Sequence, residues 1–575
     1  MKRYWKYIRP YIQYYILGPC FMMMEVVGDV LLPYMLAKII NQGIAERNVV
    51  YIIKIGAIMG LIAVIMAVGG VLGAWFASKA SMNFGADLRM DLFEKIQQFS
   101  FQNIDNFSTG SLITRLTNDI TQIQNMIMMT LRMCLRSPGI LIGAMVMAFV
   151  ISPKLAAIFI IVLPVLAVLI VVIMRRAFPQ FRTLQEKLDA LNSCIQEGLV
   201  GIRLIKSFVR GDYEEMRFEK RNQQLKEANL TAMKTMLLYT PLMTLALNIT
   251  TVVVVWSGGN MIVVGNMQVG DLTAFTNYIV QIMSSLTMLS IAFLNWARAI
   301  ASFRRVGEVL DEKIDLTDEN AKHKDRAVCE GSVEFQNVSF RYYKNSPEWV
   351  IENISFKLEA GKTLGIIGPT GSGKSTLVSM IPRLYDTDEG TVLVDGINVR
   401  DYGLKPLREG IGMVLQNNTL FSGSITENLK WGDEHADEKA VRKAAQNAQA
   451  AGFIDSFKDG YRTRLEQSGN NVSGGQKQRL CIARALLKCP KILILDDSTS
   501  AVDTATERAI REALHSEYKD MTKIIIAQRI RSVMDADEIL VLDNGKTAGF
   551  GTHEQLLADC PVYREIYDVQ NGREE

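Results

Sequence analysis

The chemistry in this chain is concentrated in one run, Gly368-Pro369-Thr370-Gly371-Ser372-Gly373-Lys374-Ser375-Thr376. It follows the apolar segment Thr363-Leu364-Gly365-Ile366-Ile367, which reads as a buried strand, and precedes a helical pattern. A strand, a glycine-rich turn with Gly-Lys-Ser at its end, and a helix form a phosphate cradle. The glycines let backbone N–H groups close on phosphate oxygens, and the helix N-terminus adds a favourable dipole. Lys374 is expected to reach the β- and γ-phosphates, and Ser375 to coordinate Mg²⁺. A second apolar segment, Lys491-Ile492-Leu493-Ile494-Leu495, ends in Asp496-Asp497. A carboxylate at the end of a buried parallel strand lies where such sheets bind ligands. Asp496 is expected to hold the Mg²⁺ ion through water. The plain alternatives are a glycine turn and a strand-end Asp that caps it; the two segments together favour a nucleotide.

Those elements occupy only half of the chain. The 575 residues carry a net charge of +3, which conceals an asymmetry. Residues 1–305 hold 29 Lys+Arg against 17 Asp+Glu, whereas residues 306–575 hold 34 against 43. Residues 55–78, 155–174, 235–270 and 272–297 contain no charge. A hydrocarbon core of about 30 Å needs about 20 apolar residues in helical form. Six spans are predicted, near 14–40, 52–78, 125–151, 155–175, 235–264 and 272–297. The first is interrupted by Glu25 and Asp29, four apart and therefore on one helix face. Ionisable groups inside a span are costly and face a bundle interior or wet cavity, so this pair is a candidate cargo or proton site. The alternatives are an Arg partner or a place nearer the membrane edge.

Lys2, Arg3, Lys6 and Arg9 at the N-terminus, and twelve basic residues in 175–234, put the N-terminus and the long loops on the cytoplasmic side. These loops show helical periodicity, as in Leu88–Ile96, so the spanning helices are expected to continue beyond the membrane and turn at tips near 108–111 and 211–213. The polar stretch 311–331 reads as a linker between a membrane domain, 1–310, and a nucleotide-binding domain, 332–575. The seven cysteines show no CxxC spacing and read as buried thiols.

Between the two nucleotide segments stands Val472-Ser473-Gly474-Gly475-Gln476-Lys477-Gln478-Arg479. It resembles the signature motif of ATP-binding cassette proteins, with Val472 where Leu is usual. With six spans first and a cassette second, the whole chain resembles half of a bacterial ABC exporter. The resemblance implies a helical membrane domain of the type IV exporter fold, fused to an α/β P-loop NTPase cassette. It implies further roles for residues of this chain. Tyr342 resembles the aromatic that stacks on adenine, and Gln416 the Q-loop residue that touches Mg²⁺. Ser500–Asp503 resembles the D-loop, and the tips near 108–111 and 211–213 the two coupling helices. Signature residues Ser473, Gly474, Gly475 and Gln476 would face the ATP held by a partner chain.

Two positions depart from the family pattern. The Glu that serves as general base is Asp497, whose carboxylate sits about 1.5 Å back, and about 1 Å can cost on the order of 100-fold in rate. The switch His is Gln528, which hydrogen-bonds but carries no proton at neutral pH. The site should bind ATP with Mg²⁺ yet hydrolyse it slowly. The resemblance is closest to the degenerate subunit of bacterial heterodimeric multidrug exporters. It implies a homologous partner with intact Glu and His, a place in the bacterial cell membrane, a hydrophobic or amphipathic small-molecule cargo and no nucleic acid. A lipid, glycolipid or peptide cargo, or a non-hydrolysing regulatory role, are the alternatives.

Overall fold

The computed structural model describes residues 2–344, 346–498 and 500–572. Two compact units emerge: residues 1–97 with 110–311, and residues 98–109 with 312–575. The segment 98–109, assigned from sequence to the membrane domain, thus packs as part of the cassette unit.

The first unit is all helix. Helical stretches Trp5–Ile44, Val49–Gln97, Thr109–Ile151, Pro153–Val200 and Gly211–Val263 are long and apolar enough to cross a membrane. The sixth expected span, 272–297, falls within helix Val269–Asp311. The side chains of 290, 291, 293–295, 297 and 298 lie outside the described residues. Val49–Gln97 runs 49 residues and Pro153–Val200 runs 48. At 1.5 Å per residue each is about 70 Å long, more than twice a bilayer core. Ser152 starts the latter, its Oγ accepting from the Leu155 N–H at 3.4 Å ahead of Pro153. The expected span 125–151 is not one continuous α-helix. It breaks between Met133 and Arg136, where Pro138 has no N–H to offer the carbonyl of Cys134.

Small residues let the first two long helices approach closely. A Cβ on Gly73 would meet Met22 Cε at 2.4 Å, and one on Gly69 would meet the Phe21 carbonyl at 3.0 Å. Toward the far end of the Val269–Asp311 helix lies a polar lock. Asp119 is fully buried and accepts from Ser302 Oγ and Arg305 Nε, both at 2.8 Å. Burial works to raise its pKa, but the hydrogen bonds from Arg305 and Ser302 prevail and hold the carboxyl below its ordinary value. Asp119→Ala leaves Ser302 without its acceptor and the half-exposed Arg305 to water, and is expected to cost about 1–2 kcal/mol, read as a lower thermal midpoint of the detergent-solubilised chain.

The short helices at the tips differ from the expected 108–111 and 211–213. The first is Phe101–Asp105, set by a capping box in which Ser100 and Asn103 bond each other's backbone. Thr109 already opens the next helix. The second is Ile202–Ser207; Val209 then turns at φ +52°, and Gly211 opens the return helix. Within the cassette unit, Tyr385 donates to Asp105 Oδ2 at 3.0 Å and Asn103 Nδ2 to the Lys313 carbonyl at 2.9 Å.

The cassette is built on a six-stranded sheet. Its order is Lys546–Gly551, Glu538–Asp543, Thr363–Ile367, Thr522–Ile526, Ile492–Asp496, Ile411–Val414. All neighbours are parallel except the first pair. The central strands are apolar runs buried on both faces, as parallel strands must be. A four-stranded antiparallel sheet containing Val333–Phe340 and Ile351–Leu358 shares its core. Residues 312–332 lack helix and strand beyond a single bridge at His323 but are pinned to the cassette. The Asp395 carboxylate accepts four backbone N–H groups, those of Cys329, Glu330, Gly331 and Ser332.

Candidate nucleotide site

Strand order decides which groups meet. Thr522–Ile526 lies between the phosphate-loop strand and the Asp496 strand, so all three release their next residues at one edge. Leaving the first strand, Gly368 adopts φ +155° and any Cβ there would strike the Leu542 carbonyl at 2.0 Å. Gly373 adopts φ +89° just before helix Lys374–Ser379. The loop encloses a cavity of about 300 Å³ lined by Thr370, Gly371, Gly373, Lys374, Ser375, Thr376, Gln416, Asp496, Asp497 and Gln528.

Lys374 Nζ donates to the carbonyls of Gly368 and Pro369 at 2.8 and 2.7 Å. Its ammonium thus folds back on the loop where phosphate oxygens would offer better acceptors. Burial depresses its pKa, and the neighbouring Asp497 and Asp496 oppose that. Lys374→Ala is expected to weaken ATP binding on the order of 100-fold, because two charge-assisted bonds are lost; titration of the full-length chain with a fluorescent nucleotide checks it.

Ser375 Oγ donates to Asp496 Oδ1 at 2.9 Å. Asp496 is buried, and that burial pushes its carboxyl pKa up, with the Ser375 bond opposing. A hydroxyl, a carboxylate in need of a countercharge and the Gln416 amide make an all-oxygen donor set. That set suits Mg²⁺, which takes one or two carboxylates and completes its shell with phosphates and water.

Asp497 and Gln528, the two departing positions, touch. Gln528 Nε2 donates to Asp497 Oδ2 at 2.7 Å. Asp497 sits at φ +46°, a left-handed turn, with its own N–H on the Ile526 carbonyl at 3.1 Å. Burial raises its carboxyl pKa while the Gln528 bond pulls the other way. The Asp497 carboxylate, expected from sequence at the general-base position, is therefore engaged by an amide through one oxygen. None of the described histidines lines the cavity.

The signature forms its own terminus. Ser473 caps helix Gly474–Leu487 in a capping box with Gln476. A Cβ on Gly474 would meet only Ala501 Cβ at 3.7 Å, whereas one on Gly475 would press the Ala501 carbonyl at 2.8 Å. No described signature residue lines the chain's own nucleotide cavity. Gln478, overlooked in the sequence, is buried and accepts the Ala501 N–H at 3.0 Å, tying the signature helix to 500–503. Asp503 caps helix Thr504–Glu517 through the Thr506 N–H at 3.0 Å. Tyr342 bonds Thr376 Oγ1 at 2.8 Å and meets Phe340 and Tyr385 edge-on, at 5.1 and 5.3 Å.

Glu25 and Asp29 do share a face. Both reach Arg136, whose Nη2 lies 2.9 Å from Glu25 Oε1 and 3.3 Å from Asp29 Oδ2. The Arg partner weighed as an alternative in the sequence is Arg136, which lies inside the expected span 125–151.

A transmembrane helical unit on the same chain as a phosphate-binding cassette defines an ABC transporter, and the chain belongs to that family. The family's transmembrane region matches residues 15–286 and its nucleotide-binding portion, described as ABC transporter, residues 351–500. The chain is 39% identical to the ABC transporter ATP-binding protein YfiB of Bacillus subtilis over 100% of its length and 99% of that protein. It is 33% identical to YgaD of the same organism, named as a multidrug export ATP-binding/permease protein, over 99% of both chains. Its fold matches that of a bacterial Atm1-family ABC exporter with ATP bound, at a TM-score of 0.81, 24% identity and 99% coverage of each chain. The chain is thus an ABC transporter with the type IV exporter fold.

Proposed function

We propose that this chain is the hydrolysis-impaired subunit of a heterodimeric efflux pump in the bacterial cell membrane, with its N-terminus and cassette in the cytoplasm. The observation that carries this reading is the Gln528–Asp497 hydrogen bond at 2.7 Å, in a cavity whose phosphate-binding parts are complete. Lys374 and the loop N–H groups bind and orient the triphosphate. Ser375, Asp496 and Gln416 would hold Mg²⁺, which neutralises charge on the β- and γ-phosphates. Gln528 donates to Asp497 Oδ2, which weakens and orients that carboxylate as a base, and the amide itself takes no proton from water at neutral pH. ATP in this site acts as a clamp between two cassettes.

Ser473, Gly474 and Gly475 complete the site of a partner chain that supplies Glu and His. Because hydrolysis there resets the pump, one slow site is compatible with transport. The cargo is a hydrophobic or amphipathic small molecule, a reading supported by the similarity to YgaD. ATP turnover by the purified chain, alone and mixed with a homologous exporter chain bearing both catalytic residues, tests the proposal. Slow turnover alone and fast turnover together are expected; brisk turnover by the lone chain contradicts it.

A further inference from the structure

The loop after strand Thr522–Ile526 leaves the sheet at Ala527, whose N–H makes the last sheet-like bond, to the Ile366 carbonyl at 3.2 Å. Beyond it the backbone needs other partners. Gln570 provides them. Its Nε2 donates to the Gln528 carbonyl at 2.8 Å, and its Oε1 accepts the Ile530 N–H at 2.8 Å. The amide orientation is fixed by this pair, since the flipped form would set donor against donor and acceptor against acceptor. One side chain therefore grips the backbone at the residue whose side chain holds Asp497 and again two residues on.

The grip stands on a firm base. Gln570 lies at the end of helix Pro561–Asn571, which Gly572 terminates at φ +70°. That helix is anchored by Tyr563, fully buried in a cluster with Ile530, Val533 and Leu556. A cavity of about 620 Å³ joins Gln570 and Tyr567 to Asp497 and Gln528, so water reaches the loop, and the loop's geometry depends on specific bonds.

We propose that Gln570 is a positioning residue of the nucleotide site, clamping the switch loop so that the Gln528 amide stays on Asp497 and faces the bound triphosphate. This rests on the reading of Asp497 and Gln528 as parts of that site. Gln570→Leu keeps the size and removes both bonds. Gln570→Glu keeps the acceptor for Ile530 and turns a carboxylate oxygen on the Gln528 carbonyl.

The test is the affinity of the full-length chain in nanodiscs for TNP-ATP with Mg²⁺. Both variants are expected to bind about three- to tenfold more weakly, the range set by loss of one or two modest hydrogen bonds. In a Gln528→Ala background the Gln570→Leu change is expected to add nothing, because its effect runs through Gln528. Unchanged affinity in both single variants overturns the proposal. So does a loss that persists undiminished in the Gln528→Ala background, which marks a structural role only. Steady-state turnover is a separate readout: brisk hydrolysis by the unaltered chain removes the impaired-site reading, while the coupling between 570 and 528 is still judged by binding.

Discussion

Asp497→Glu combined with Gln528→His is expected to raise hydrolysis at this chain's own site on the order of 100-fold. The added methylene advances the carboxylate by about 1.5 Å, the length of one carbon–carbon bond. The imidazole can carry a proton near neutral pH, which an amide cannot. Each single change should achieve much less. With Gln528 in place, a Glu carboxylate still meets the amide that donates to Asp497 at 2.7 Å. With Asp497 in place, a His has a carboxylate set back from the attacking water. Groups that act as a unit are strongly non-additive, and the double change should exceed the product of the singles. Phosphate release by complexes whose partner site is blocked gives the comparison. An unchanged rate in the double variant places the impairment elsewhere.

Gly474→Asp is expected to lower turnover of the assembled pump on the order of 100-fold, with binding at the chain's own phosphate loop intact. Gly474 has room for a side chain, since an added Cβ meets only Ala501 Cβ at 3.7 Å, so the cassette should fold normally. It opens the signature helix, where unsatisfied N–H groups and the dipole favour an anion. A carboxylate there repels a phosphate from the partner and occupies its donors. Removing one preorganised donor to developing charge typically costs 100-fold or more. Lys374→Ala, in contrast, disables this chain's own cavity and should leave more of the turnover. Equal loss in both variants would mean that the two sites hydrolyse alike.

The nucleotide site was largely legible because its chemistry is local. Gly368 to Thr376 is one contiguous turn, and Asp496 ends an unbroken apolar strand, so sequence order alone places them. The Asp497–Gln528 bond was not legible. It joins the loops that follow two different strands, and depends on Thr522–Ile526 pairing in parallel with Ile492–Asp496. Gln570 was hidden for the same reason, its partners being backbone atoms of another element. Apolar length revealed the long helices, but Pro138 interrupts one run that hydropathy treats as continuous. The tip helices were displaced because Ser100 and Asn103 cap earlier than the more conspicuous Ser108 and Thr109. Residues 311–331 read as a polar linker, yet Asp395, far along the chain, fixes their end.

The most direct test of the account is single-turnover hydrolysis of radiolabelled ATP at this chain's own cavity, in an assembled pump whose partner cannot bind nucleotide at its phosphate loop. The account predicts that bound triphosphate persists far longer than one turnover of the unblocked pump and is released largely uncleaved. Cleavage at the pace of the unblocked pump would contradict it.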